Sequence, residues 1–436
     1  MRRRTVTNWG NYPIVEAAFT ETSRQSEIAA LIGGSDEITI RGNGRSYGDA
    51  SLGDNILSTL RLNKFLDLDL EKGEIECESG VLFSDILDVI VPRGFFLPVT
   101  PGTKFITVGG AIGADVHGKN HHKEGGFASH VISFDLVDET GVVRRCSPNE
   151  NAALFWQTCG GMGLTGLILR ARFRLQPIET AFIDQNSIKS ANIDAVMKQF
   201  ADNSSSTYSV AWLDCTARGK SLGRSILQLG EHTKLADLPR QYSADPLRLP
   251  PKSGPSIPFN APAFALNPLT IKSFNTLYFN RQLSERKTSI VHFDPFFYPL
   301  DGIRDWNRLY GRNGFVQYQF VLPLDKSEGV VEILEKISRS GEGSPLAVLK
   351  LFGKPHPNSF MSFPMEGFTL ALDFKVNEKV FGLLDELDEI VMKNNGRIYL
   401  AKDARMKPNV FQRGYNDIVP SGRFTSAQAK RLRNTS

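Results

Sequence analysis

The chain is poor in cysteine, with four in 436 residues. None of Cys77, Cys146, Cys159 and Cys215 sits in a CxxC pair or at metal-ligand spacing, so neither a disulfide framework nor a metal centre is expected. Four free thiols fit a reducing compartment. No run approaches the roughly 18 unbroken apolar residues that a membrane-crossing helix needs. The start, MRRRTVTNWGNYP, carries arginines with no apolar stretch behind them, so no secretory or twin-arginine signal is expected and the expected location is cytoplasmic. An excess of one charge is also missing: 51 basic and 47 acidic residues give +4, too mild to point to nucleic acid. There is no GK[ST] and hence no Walker A loop. No repeat of about 20–50 residues is visible.

What is present is an ordinary globular composition, 41% hydrophobic and 22% charged, long enough for two to four folded units at about 100–200 residues each. The first third reads as short strands between glycine-rich turns. A helix over 22–32 precedes the strand EITIRG, which runs into GNGRSYGDASLG. The strand-like LDLDLEKGEIECES is followed by a helix, SDILDVIVPRG, with Ser84 expected at its N-cap and Gly94 past its end. HVISFDLVDETGVVRRC reads as two strands around a turn, and residues 208–229 as two more. Between Pro239 and Pro268 lie eight of the 23 prolines with no helical or strand period, which points to a lid over a site rather than an inert linker. From residue 315 the order strand, helix, strand, strand, helix, strand is expected. Its best helix shows Val380, Leu383, Leu384, Leu387, Ile390 and Val391 on one apolar face, with Asn377 as cap. The fold class is α+β. The expected organisation is a first domain over 1–180, a substrate domain over 181–396 with a lid near 235–270, and a return to the first domain over 397–436.

Two glycine-rich loops invite a dinucleotide reading. Gly42-Asn-Gly44-Arg-Ser-Tyr-Gly48 has one residue too many for GxGxxG. Gly161-Met-Gly163-Leu-Thr-Gly166 has the spacing, but LILRARFRLQP after it alternates like a strand and supplies no helix N-terminus for a pyrophosphate. A nicotinamide Rossmann domain is therefore disfavoured. Successive backbone N–H groups in turns can still nest an anion. Arg41 to Asp49 offers such a nest, and Pro101 to Thr103 with Val108 to Gly118 would give a second wall. One such loop alone reads better as a structural turn; three in one chain favour phosphate binding.

RGNGRSYGDAS, TPGTKFITVGGAIGADVHGKNHH, LFWQTCGGMGLTG, FVQYQFVLP, VLKLFG and IYLAKDAR together resemble FAD-linked oxidases of the vanillyl-alcohol-oxidase (PCMH-type) fold. More narrowly they resemble the decaprenylphosphoryl-β-D-ribose 2-oxidase group, the flavin subunit of a two-enzyme 2-epimerase. The resemblance implies two domains with FAD between them and a substrate domain of antiparallel sheet covered by helices. It places the FAD pyrophosphate against Ile40, Arg41, Gly42, Asn43, Gly44, Arg45, Ser46, Tyr47, Gly48, Asp49 and Ala50. Gly102, Thr107, Val108, Gly109, Gly110, Ala114, Asp115, Val116 and His117 would line the other side, with Ile168 and Tyr399 completing the contacts. Over the flavin ring it places Lys402, Tyr47, His117 and Gln319 as catalytic residues. Gln317, Lys350, Phe352, Thr369 and Ala371 would bind substrate.

The chemistry fits those residue types. Oxidising a secondary alcohol moves a hydride to flavin N5, and the reduced ring carries negative charge near N1, where a lysine such as Lys402 stabilises it. Gln317 and Gln319 share one strand face, which suits sugar hydroxyls or the flavin edge better than a dry core. Lys350 suits a substrate phosphate. Tyr47 reads as a donor to flavin or substrate, or as an aromatic packed on its loop. His117 reads as a non-covalent contact near the sugar in preference to a covalent flavin link; His121 and His122 read as outer or surface residues.

The implied reaction is oxidation of the 2-hydroxyl of a polyprenyl-phosphate pentose to a 2-keto sugar. A partner NAD(P)H-dependent short-chain reductase would complete the inversion, and quinone or oxygen would take the electrons. A lipid-linked substrate implies work at the inner membrane face. The sequence departs from the group at Ala371, where actinobacterial members carry a cysteine, so a thiol there is not needed for turnover. Rival readings are an oxidase of a soluble sugar or aldonolactone on the same fold, and a flavin-bearing binding or assembly subunit without turnover.

Overall fold

A computed structural model describes residues 3–251, 254–262, 264–358, 360–415 and 419–433. The amino-terminal part holds two larger sheets and a two-stranded one that pairs Phe95–Phe96 with Gln176–Pro177. A four-stranded sheet is ordered Arg3–Thr7, Ile14–Glu21, Asn55–Ser58, Thr39–Arg41, the last three mutually parallel. An antiparallel five-stranded sheet is ordered Phe65–Asp69, Glu74–Glu78, Leu167–Arg174, Val131–Val137, Val143–Cys146. Leu167–Arg174 shows why the chain after GMGLTG is a strand. Ala171 and Phe173 enter the core, while Arg170 and Arg172 point outward to Asp135 at 2.6 Å and to Glu76 at 2.9 Å on neighbouring strands. The expected N-cap at Ser84 is displaced: the helix is Phe83–Ile90 with Leu82 at the cap, because Phe83 is needed in the core. Gly94, at φ +79°, ends the turn that follows.

The second layer system is an eight-stranded antiparallel sheet. Its spatial order is Arg286–His292, Phe182–Ser190, Ser225–His232, Tyr208–Leu213, Ala347–Phe352, Gly367–Lys375, Phe315–Pro323, Arg397–Ile398. The order strand, helix, strand, strand, helix, strand occurs twice, over 182–292 and over 315–398, and the two halves meet where Tyr208–Leu213 pairs with Ala347–Phe352. The period-2 alternation gives the sheet two unlike faces. Val316, Tyr318, Phe320, Leu370, Leu372, Leu349 and Leu227 pack under helices Ile193–Asp202, Glu328–Ser340 and Glu378–Lys393. The apolar face expected for the last helix is wholly buried, and the Asn377 side chain accepts from the Val380 N–H.

The opposite face, carrying Gln185, Gln228, Trp212, Lys350, Gln317 and Gln319, looks into a cavity shared with the amino-terminal part. Helix Pro268–Asn280 departs from its counterpart, Glu378–Lys393. It packs by Ile271 and Asn275 at the end of the central strands, where Asn275 donates to Asp214 at 3.0 Å, and it turns Phe274 and Tyr278 to the cavity. The proline-rich segment before it is irregular apart from a short 3-10 turn at Leu235–Asp237, and residues 252, 253 and 263 within it lie outside the described residues. After Ile398 the chain returns to the amino-terminal part. The Tyr47 N–H donates to the Ala401 carbonyl at 3.1 Å, and Tyr399 donates to the Ala114 carbonyl at 3.1 Å. No described helix is long and apolar enough to cross a membrane.

Candidate active site

The cavity measures about 750 Å³, within the ordinary range for ligand sites. One wall is the loop from Gly42 to Tyr47. The other runs from Pro101 through the short helix Val108–Gly113 to His117 and Lys119. Glycine is required where the walls approach: a Cβ at Gly42 would overlap the Thr107 hydroxyl, which itself accepts from the Gly110 N–H. Gly44, at φ +62°, turns the loop so that Arg45 and Ser46 reach the cavity. Arg45 lies 4.1 Å above the Trp9 ring.

At the sheet end the hydrogen bonds fix the side chains one after another. The Thr369 hydroxyl donates to the Phe320 carbonyl at 2.8 Å, so it accepts from the Gln319 amide at 3.2 Å. The second N–H of that amide faces His117 Nε2 at 3.1 Å, which places the imidazole proton on Nδ1. Burial holds His117 well below the ordinary histidine range, with Lys350, His121 and Lys402 adding to the effect, so the ring is neutral. Its Nδ1 is buried and has no hydrogen-bond partner among the described residues. Nearby, the Gln317 amide donates to Asp373 at 2.5 Å and Tyr310 to the same carboxyl at 3.4 Å. Burial pushes Asp373 up to about 7.

Lys402 sits 3.8 Å above the Tyr47 ring, in the turn that follows Arg397–Ile398 rather than at the strand end. Loss of water pushes it down to about 7, offset in part by the negative charge of Asp373. Lys350 is likewise pushed down to about 8 and Lys119 to about 7, both by burial. Three lysines therefore open on one cavity without a paired carboxylate among the described residues.

Of the residues expected here, Lys402, Tyr47, His117, Gln317, Gln319, Lys350 and Ala371 line the cavity, as do Ile40, Gly42 to Ser46, Ala50, Gly102, Thr107, Gly109, Gly110, Ala114, Val116, Ile168 and Tyr399. Seven do not reach it. Arg41 turns to Asn8 and to the Thr7 carbonyl, and Asp49 pairs with Arg431 at 2.8 Å. Gly48 lies against the Asp403 backbone, Val108 is in the core, and Asp115 accepts from Ser362 at 2.6 Å. Thr369 acts on Gln319, and Phe352 packs edge-on to His117 at 4.7 Å between ring centroids. His121 lies behind the cavity wall, its ring tilted against Phe352, and the half-buried His122 contacts the Ser206 carbonyl at 2.8 Å. Sequence reasoning passed over Lys119, two places after His117, and Asp373, on the same strand face as Ala371. The alternation that singled out the glutamines carried the signal for Asp373.

A deep groove walled by glycine loops, with an unpartnered buried N–H and unpaired lysines, has the donors that a long anionic cofactor needs. Residues 20–147 match the FAD binding domain family. Fold and site thus define an FAD-dependent oxidoreductase. The chain is 34% identical over 444 residues to the decaprenylphosphoryl-beta-D-ribose oxidase of Mycolicibacterium smegmatis, covering 97% of this chain and 96% of that protein. It is 27% identical to the L-gulonolactone oxidase of Mus musculus over 41% of this chain and 42% of that one. A shorter match, 32% identical over 26% of this chain and 20% of the relative, is to cytokinin dehydrogenase 10 of Oryza sativa. The chain belongs to the family of FAD-linked oxidases that includes the decaprenylphosphoryl-beta-D-ribose oxidase.

Proposed function

We propose that this chain oxidises the 2-hydroxyl of a polyprenyl-phosphate pentose to the 2-keto sugar, the first half of a 2-epimerisation completed by a separate NAD(P)H-dependent reductase. Quinone or oxygen is the terminal acceptor in this reading. The observation that carries it is the pairing of two kinds of group in one cavity: polar amides for a sugar and unpaired lysines for a phosphate. Full-length similarity to an oxidase named for such a substrate supports the same reading.

FAD bound non-covalently along the glycine loops would supply the hydride acceptor. Gly42 to Ser46, with Arg45, would hold its phosphates, and His117 Nδ1–H would donate to it. Lys402, on the Tyr47 ring, would carry the positive charge that offsets charge gained by the cofactor. Gln317, held by Asp373, and Gln319, held by Thr369, would orient the sugar hydroxyls. Lys350 and Lys119 would take the phosphate. The proline-rich segment near 235–270 would close over the lipid-linked sugar.

The test is the visible spectrum of the purified protein, followed by anaerobic addition of polyprenyl-phosphoryl ribose. A flavin spectrum that bleaches on addition is expected. A yellow protein bleached by a free sugar or aldonolactone and not by the lipid-linked pentose would replace this substrate class. A protein that takes up no FAD would remove the reading altogether.

A further inference from the structure

Beyond the cavity, the least ordinary surface is the one just outside its mouth. Six large apolar side chains are exposed within 25 residues of chain: Phe259 (69% exposed), Phe264 (76%), Leu269 (73%), Phe274 (46%), Leu277 (72%) and Leu283 (94%). Scattered exposed leucines are normal, whereas a cluster of this kind marks a contact surface. Local hydrogen bonds hold the segment together. The Ile257 N–H bonds to the Arg304 carbonyl at 3.0 Å, Ala261 to Arg308 at 2.8 Å, and the Phe264 carbonyl accepts from Asn267, the cap of helix Pro268–Asn280.

That helix is two-sided. Ile271 and Asn275 are buried and Tyr278 lines the cavity, while Leu269 and Leu277 lie on its opposite side. Charge then selects the occupant. From residue 256 to 287 the one acid is Glu285, while Lys272, Arg281, Arg286 and Lys287 are exposed in or beside the patch. Aromatic and leucine side chains flanked by four cations against one acid match an interface with anionic headgroups.

We propose that the segment from 256 to 287 is a membrane-docking face that seats the cavity mouth on an anionic lipid bilayer. It extends the lipid-linked substrate reading. Its test uses no substrate, so the two fail separately.

The flavin-loaded, full-length protein would be sedimented with vesicles of phosphatidylcholine alone and of phosphatidylcholine mixed with phosphatidylglycerol. Binding to the mixed vesicles is expected, several-fold weaker to the neutral ones, and reduced at about 1 M salt, where the Debye length falls to roughly 3 Å. Leu277→Ser with Leu283→Ser should lose about tenfold or more in partitioning while keeping the flavin spectrum. Lys272→Glu with Lys287→Glu should abolish the preference for anionic vesicles. No binding to either vesicle, or binding unchanged in both double variants, would overturn the proposal. So would a wild-type dimer in sedimentation velocity that the leucine variant dissolves, since a second copy would then cover this face.

Discussion

Lys402 lies on the face of one aromatic ring and within the field of one buried carboxyl, so its charge depends on both. Burial holds it near 7, and the positive form is lost as pH rises through that value. If that charge assists flavin reduction, Lys402→Ala should slow anaerobic reduction by about a hundredfold or more. An unchanged rate would remove the role. In the intact enzyme the rate should fall on the alkaline side. Asp373→Asn removes the negative charge that raises the lysine, so the alkaline limb should move to lower pH; a limb that stays in place would uncouple the two groups. Ala371 makes a second, independent point. It lines the cavity at a position where the resemblance leads one to expect a thiol, and the four cysteines of this chain are buried and do not line that cavity. Inhibitors that need covalent capture at that position should leave the intact mass unchanged, and Ala371→Cys should gain a single adduct. An adduct on the unmodified chain would contradict this.

Among the elements, the short terminal helix Ala427–Arg433 has an influence out of proportion to its length. Arg431 places one guanidinium between Asp49 of the first glycine loop and Asp403 beside Lys402, at 2.8 Å from each. Both carboxylates are buried, so Arg431→Met would leave two like charges facing each other without a counter-ion. The expected cost is about 3–5 kcal/mol, seen as a lowered Tm together with loss of bound flavin on gel filtration. Retained flavin at unchanged Tm would show that the helix does not clamp the loop. Nothing in the local sequence announces this contact, because the partners lie 382 and 28 residues apart. What was legible was local. The helix 378–393, the strands from 315 onward and the glutamine pair on one face all follow from periodicity. The same strand–helix order in the first half of the sheet was not read, because the proline-rich insertion separates its last helix and strand from the rest. Lys119 was hidden for a different reason: a lysine in a glycine-rich loop looks like a solvated residue until the sheet closes over it.

For the molecule as a whole, the cavity is an electrostatic liability until an anion fills it. Lys350 is the plainest case, pushed down to about 8 by burial alone. Its unfolded counterpart titrates near 10.4, so between those values the unfolded chain binds more protons and folding stability rises with pH. Below about 8 the lysine is charged in both states and the desolvation cost is fully present. Lys119 and Lys402, near 7, extend the same limb downward. Asp373, raised to about 7, acts in the opposite sense at lower pH: its contribution is present below the ordinary aspartate range and is lost as pH rises to 7. The flavin-free protein should therefore gain Tm between about pH 7 and about pH 10. Lys350→Met should raise its stability at pH 7 by roughly 2–3 kcal/mol and flatten the limb, while weakening affinity for a phosphate-bearing substrate. Calorimetry of flavin-free wild type and variant across that range is the measurement. Equal Tm at pH 7 would mean that the lysine is already neutralised by something other than substrate. A gain in stability matched by a loss in substrate affinity would mean that the unpaired charge is kept for binding, at the expense of the fold that holds it.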